Sequence, residues 1–165
     1  MTMIPIASFA TDGTTLGFTS IPQNFVSLQL RISYTNGAGF QNIYFNGDNT
    51  NTNYYSNSYG GQNSAINLYY GNFPLIGYTT GPVNSYVVDI PDYNLTSKYK
   101  TALASFVGDN NSASTSFLSK TGVLWTNTAA ITSLTLSFSG SAIGATGVIS
   151  LYGWTGQYCQ YLLNL

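Results

Sequence analysis

Apolar and polar residues alternate along much of this chain. In residues 26–34, Val, Leu, Leu, Ile and Tyr occupy every second position, and Ser, Gln, Arg and Ser lie between them. Residues 132–138 repeat the pattern. A period of two places successive side chains on opposite faces of a strand, so both stretches predict strands with one buried face. Similar patterns predict strands at 14–19, 41–45, 65–70, 86–90, 101–107, 116–120, 123–125 and 148–154.

Turn-forming residues separate these segments. Asn-Gly at 36–37, Asn-Gly-Asp at 46–48 and Gly-Pro at 81–82 are typical of tight connections between strands. Eight to ten short strands at this spacing predict an all-β, antiparallel β-sandwich or jelly roll. A helix over 95–105 is the main alternative, although its Thr and Tyr residues disfavour it. Residues 49–63 fit no strand pattern and are expected to form a polar, tyrosine-rich loop.

These patterns divide the chain into three parts. Residues 1–13 show no clear alternation and are expected to form an N-terminal arm. Residues 14–156 are expected to form the sandwich domain, and 157–165 a short C-terminal extension. A chain of 165 residues can bury one good core but not comfortably two.

Composition excludes several functions. Only 5% of the residues are charged, with four Lys or Arg against five acidic residues and no His. Four scattered cations cannot form the basic patch that nucleic-acid binding requires. A metal site built on imidazole or paired thiolates is excluded because the chain has no His and one Cys. Catalysis through a His base is excluded as well. We therefore expect no enzyme activity, no cofactor and no metal.

The single Cys159 cannot form an internal disulfide, so packing must stabilise the fold. The first ten residues lack the features of a signal peptide, and no long apolar run predicts a membrane span. We therefore expect synthesis in the cytoplasm, without membrane association.

Two polar segments could carry chemistry. Asp89 and Asp92 could form an acid–base pair if both faced one cleft, but a strand end followed by a turn is the favoured interpretation. Residues 46–53 are rich in Asn and could be considered for calcium. With one Asp they are better explained as a hydrated hairpin loop.

Tyrosines cluster beside Asn and Gln. Tyr54, Tyr55 and Tyr59 are candidate contacts for a protein or a glycan, because Tyr combines a large apolar surface with a polar tip. Core packing is the alternative for each of them. Tyr69, Tyr70 and Tyr78 belong to the same group.

Several segments together resemble a known module. They are FTSIPQNF at 18–25 with VSLQLR at 26–31, DIPDY at 89–93, KYKT at 98–101, GVLW at 122–125, AAITSLTL at 129–136 and GVISLYGW at 147–154. In this order they resemble the structural β-sandwich module of tailed-bacteriophage virion proteins. The resemblance covers roughly 14–154 and implies a virion component, with no catalytic residues.

Two functions are compatible with this resemblance. One is a capsid decoration (cement) protein that binds the major capsid protein across capsomers as a homo-oligomer, expected to be a homotrimer. The apolar C-terminal residues Tyr158, Tyr161, Leu162 and Leu163 are candidates for its oligomer or capsid contact. The other is a module at a tail or fibre tip that recognises host surface glycans.

Overall fold

The structure is a computed structural model. It describes residues 2–11, 15–35, 39–62, 65–79, 83–112, 115–138 and 147–156. These residues form an all-β sandwich of two antiparallel sheets, as the alternation predicts.

The described part of the chain contains twelve strands. They are β1 (Thr2–Thr11), β2 (Thr15–Phe18), β3 (Ser27–Thr35), β4 (Gly39–Phe45), β5 (Tyr54–Gln62), β6 (Ala65–Gly71), β7 (Leu75–Thr79), β8 (Val83–Pro91), β9 (Lys100–Ser112), β10 (Thr115–Trp125), β11 (Leu134–Phe138) and β12 (Gly147–Thr155). One 3-10 turn, Asn51–Asn53, precedes β5.

The strands divide unequally between the two sheets. The large sheet has the order β1-β12-β3-β8-β9-β10-β5-β6, and the small sheet has the order β2-β11-β4-β7. The small sheet packs on one face of the large sheet, where the alternating apolar residues meet. The other face of the large sheet, called here the outer face, points away from the core.

Aromatic side chains fill the space between the sheets. The Tyr86 ring lies 4.5 Å from that of Phe106, and its hydroxyl donates to Gln41 Oε1 on β4 at 2.6 Å. Gly77 on β7 makes this arrangement possible, since a Cβ there would lie 2.5 Å from the Tyr86 ring. The Tyr86 ring therefore occupies space that a side chain on residue 77 would fill.

The N-terminal segment is a strand and not an arm. β1 pairs with β12 from Thr2 opposite Thr155 to Thr11 opposite Gly147. Ile6 and Phe9 pack against the core, and the Phe9 ring lies 4.8 Å from that of Phe18. The predicted arm is therefore wrong over residues 2–11, because these residues complete the edge of the chain's own sheet.

One further expectation is corrected. The predicted loop at 49–63 contains strand β5, which pairs with β10 over residues 54–62 and with β6 over residues 56–62. The strand predicted at 101–107 is confirmed and the disfavoured helix at 95–105 does not form, since β9 begins at Lys100 and pairs with β8 and β10. The predicted C-terminal extension, 157–165, lies outside the described residues.

Candidate functional site

The three candidate tyrosines of β5 lie on opposite faces of the large sheet. Tyr55 and Tyr59 are exposed on the outer face, whereas Tyr54 is fully buried between the sheets. The Tyr54 hydroxyl accepts from Phe45 N at 3.0 Å and donates to the carbonyl of Asp48 at 2.9 Å. Burial raises the pKa of this hydroxyl well above its ordinary value. Tyr54 as a surface contact is therefore wrong: it is a core residue.

Tyr55 and Tyr59 belong to a larger apolar area on the outer face. We call this area the outer patch. It consists of seven large exposed residues on four adjacent strands, Tyr55, Tyr59, Leu68, Tyr70, Leu103, Val107 and Leu118.

Strand register brings these residues together. Tyr59 lies opposite Leu68 on β6, and Leu118 lies opposite Val107 on β9. Side chains directly opposite each other on one face have Cβ atoms about 5 Å apart, so these pairs are in contact range. Leu68 and Leu118 remain 75% and 61% exposed, respectively. The patch is a largely apolar surface with Asn57 and Lys120 between its members, and not a set of isolated exposed residues.

A glycine lies inside the outer patch. Gly122 on β10 lies opposite Asn57 on β5 and Leu103 on β9, and a Cβ built on it would meet no atom within 4 Å. The surface is therefore locally bare at this position. Lys120 is the charged residue closest to it along β10, and it lies opposite Tyr59.

The remaining candidate tyrosines are Tyr69, Tyr70 and Tyr78. Tyr70 is exposed, and the side chains of Tyr69 and Tyr78 lie outside the described part of the structure.

The turn after β4 holds a carboxylate among hydrogen-bond donors. Asp48 Oδ2 accepts from Trp125 Nε1 at 2.8 Å and from Asn53 Nδ2 at 2.9 Å, and Oδ1 accepts from Thr50 N at 3.0 Å. Burial alone would raise the pKa of Asp48, but these hydrogen bonds outweigh it and lower the pKa. Both oxygens of this ionised carboxylate already accept hydrogen bonds from N–H groups, which leaves them little capacity to bind a cation. This supports the hairpin-loop interpretation of residues 46–53 over a cation site.

Segments that carry the virion-module resemblance meet at one end of the sandwich. Gln23 Nε2 donates to the carbonyls of Ile21 and Ile131, at 2.8 and 2.9 Å. The Tyr93 hydroxyl donates to the Pro22 carbonyl, and Ile131 N donates to the Tyr93 carbonyl at 2.8 Å. These residues tie together the connections β2–β3, β8–β9 and β10–β11. Their geometry gives them a structural role.

A buried lysine lies at the same end of the sandwich. Lys100 is only 1% exposed, and its Nζ donates to the carbonyls of Lys98 and Thr128 at 2.8 and 2.9 Å. Burial, and secondarily the positive charge of Lys98, lowers the pKa of Lys100. The amine is enclosed by backbone acceptors and is not presented to a substrate.

Asp89 and Asp92 have separate partners. Asp89 Oδ1 accepts from Gln29 Nε2 at 2.8 Å on the outer face. Asp92 lies in the turn after β8 with a positive φ of 50°, and it pairs with the exposed Lys98. The structure bears out the strand end and turn that were favoured for this segment.

Metal ligands do not gather in the described ranges, where no group of three Cys or Asp side chains could hold an ion. None of the helical structure in the same ranges is long enough to cross a bilayer. The remaining candidate contacts, Tyr158, Tyr161, Leu162 and Leu163, lie outside the described residues and stay predictions.

Most of the outer patch was not singled out from sequence. Leu68, Leu103, Val107 and Leu118 are ordinary strand residues in the sequence, and each apolar side chain there suggests burial. The strand alternation of β9 could have indicated this. Ala102, Ala104 and Phe106 occupy the inward positions, so Leu103 and Val107, at alternate positions, must point outward.

Comparisons with known proteins add no family. No family model matches the sequence, and no curated protein matches it. The structure of a candidate pore-forming toxin from Bacteroides vulgatus aligns with 87% of this chain at 9% identity and a TM-score of 0.07. This chain covers about 60% of that structure's length. Similarity at this level carries no argument about fold or function.

Proposed function

We propose that this chain is a structural protein of a bacteriophage virion, a capsid decoration protein that binds the major capsid protein from outside. It acts as a homo-oligomer, stabilises the head across capsomers and has no catalytic role. The observation that carries the binding role is the outer patch. Its assignment to a virion rests on the ordered sequence segments that resemble the phage module.

The outer patch suits a lasting protein contact. Large apolar areas of this kind mark interaction surfaces on soluble proteins. Aromatic residues are enriched in the centres of interfaces and charged residues are depleted there. The patch contains three tyrosines, and Lys120 is the charged residue beside them, opposite Tyr59. A sheet face that is already formed needs little rearrangement to meet another protein surface. The major capsid protein is the partner to which the resemblance points.

The first test is the position of the chain on intact particles. Electron microscopy of virions that contain it should show extra density over the junctions between capsomers. Density confined to the tail tip would contradict the proposal and favour the alternative.

The second test is Gly122→Arg. The new side chain meets no atom within 4 Å of its Cβ, so the variant should fold. It would place a charge in the interface without a partner, which costs several kcal/mol. We expect binding to heads assembled without the chain to weaken by more than about tenfold. The matched control is Thr15→Arg, at an exposed position of the small sheet, which should bind like the wild type.

A glycan-binding module is the second candidate, favoured by one specific arrangement. Tyr55, Tyr59 and Tyr70 expose aromatic rings on the outer face, and the exposed Asn57 lies between Tyr55 and Tyr59 along β5. Aromatic faces and amides are suited to sugar rings and hydroxyls. Binding on a glycan array that is lost in Tyr59→Ala, but retained in Leu118→Ala, would favour this function over the capsid contact.

A further inference from the structure

The large sheet ends in two edge strands of different character. At one edge, β1 contains Pro5, and its register shifts between Pro5 and Ala7. Proline and bulges are devices that prevent an edge from pairing with another strand. At the other edge, β6 pairs with β5 from Ala65 to Gly71 without a register shift. It contains neither proline nor a charged residue.

The free side of β6 can pair with another strand. Alternate N–H and C=O groups of an edge strand point away from the sheet, and another strand satisfies them best. No strand in the described part of the chain pairs with this side. On the outer face, the same strand exposes Leu68 and Tyr70, which are 75% and 82% exposed. An apolar, neutral strand would therefore fit both its backbone and its side chains.

We propose that this partner is β6 of a second copy, paired antiparallel about a two-fold axis. Leu68 is the middle residue of Ala65–Gly71, so the symmetric register places Leu68 opposite Leu68 of the other copy. Tyr70 then lies opposite residue 66. No charged residue occurs from 49 to 88, so the two strands meet without like-charge repulsion.

The pairing also extends a surface already described. Leu68 and Tyr70 form the border of the outer patch, and the two-fold axis joins the patches of both copies into one. A two-fold contact is self-complementary and closes as a dimer. The homotrimer expected from the resemblance would need a different contact. This inference concerns the purified chain alone and does not depend on capsid binding.

Crosslinking tests the register directly. Directly opposite residues of antiparallel strands have Cα atoms about 4.5 to 5.5 Å apart, within the range that a disulfide spans. Leu68→Cys should therefore form a covalent dimer on mild oxidation, in a Cys159→Ser background that removes the natural thiol. Leu118→Cys is the matched control, because it is exposed on the same face two strands from the edge. A failure of Leu68→Cys to crosslink, or equal crosslinking by both variants, would overturn the proposal.

Charges introduced at position 68 test the contact without covalent chemistry. Light scattering should show a dimer for the wild type and a monomer for Leu68→Lys. In this variant two cations would lie opposite each other, so association should weaken at least about tenfold. Leu68→Glu should behave in the same way alone, and a mixture of the two variants should restore the dimer. Leu118→Lys should remain dimeric.

Circular dichroism checks that the position 68 variants fold, which their exposure allows. A monomeric or trimeric wild type, a dimeric Leu68→Lys, or a mixture that stays monomeric would each contradict the two-fold contact.

Discussion

At the scale of single residues, Asp48 links three parts of the chain. Its carboxylate accepts hydrogen bonds from Trp125 at the end of β10, from Asn53 before β5 and from the backbone of Thr50. The Trp125 ring in turn packs on those of Tyr54 and Phe45. The ionised form of Asp48 is therefore the form that the folded protein favours.

We predict that Asp48→Asn destabilises the protein at neutral pH by about 1–2 kcal/mol, because its amide cannot replace both oxygens as acceptors. The pKa of Asp48 in the folded state lies below the ordinary value of 3.8. Its contribution is therefore complete above that value and is lost as the pH falls through the lower, folded-state pKa. Urea unfolding of wild type and variant should give free energies that converge in acid.

The control for this experiment is Asp89→Asn. The Asp89 carboxylate accepts one hydrogen bond from Gln29 on the exposed face, so its loss should change the free energy of unfolding by less than about 0.5 kcal/mol. Equal destabilisation by both substitutions, or a gap for Asp48→Asn that stays constant into acid, would contradict the role given to Asp48.

At the scale of elements, β5 shows what alternation can and cannot predict. Its period of two is intact, but the inward residues after Tyr54 are Ser56 and Ser58, both buried. The Ser58 hydroxyl is satisfied by Thr121 Oγ1 at 2.8 Å on β10. Polar residues therefore face inward and tyrosines outward, the reverse of the usual pattern. The strand could not be recognised from the sequence, because nothing in the sequence shows that Thr121 on β10 lies against the buried Ser58.

β1 was missed for a different reason. Its register shifts between Pro5 and Ala7, so the inward positions change parity along the strand. Ile6 and Phe9, which both pack against the core, are three residues apart instead of two. A bulge thus removes the periodic signal on which a strand prediction depends.

A substitution in β1 distinguishes an integral strand from an arm. Phe9→Ala should lower the free energy of unfolding by about 1–2 kcal/mol, because Phe9 is half-buried against Phe18. The control Ser8→Ala removes an exposed hydrogen bond to Ser150 and should be nearly neutral. Thermal unfolding measures both variants. A neutral Phe9→Ala would contradict the packing of β1 on the core.

At the scale of the whole molecule, sequence predicted the class of fold but not the division into sheets. The strands at 26–34 and 132–138 are equally regular, yet β3 lies in the large sheet and β11 in the small one. The outer patch depends on the same pairing, since Tyr59, Leu68 and Leu118 become neighbours only through the order β10-β5-β6. Long-range register, which a single sequence does not encode visibly, decides where the candidate site is.

The few charged residues show their role in stability only once their positions in the fold are known. Lys100 is enclosed by carbonyls, Asp48 by N–H donors, and Arg31 lies 5.3 Å from the centre of the Tyr152 ring. The ion pair Lys98–Asp92 is largely exposed, with side chains 52% and 40% accessible. Folding therefore relies on apolar packing and neutral hydrogen bonds far more than on charge pairs.

Stability should accordingly depend little on salt. An exposed ion pair contributes at most about 1 kcal/mol, and 1 kcal/mol corresponds to about 2–4 °C in the unfolding midpoint of a chain of this size. Raising NaCl from about 0.05 M to about 0.5 M should therefore move the midpoint by less than about 4 °C, since screening has few attractions to weaken. Lys98→Met lacks the exposed pair and should respond to salt as the wild type does. A wild-type midpoint that falls by about 10 °C in salt, with no such fall for Lys98→Met, would show instead that this one pair supports the fold.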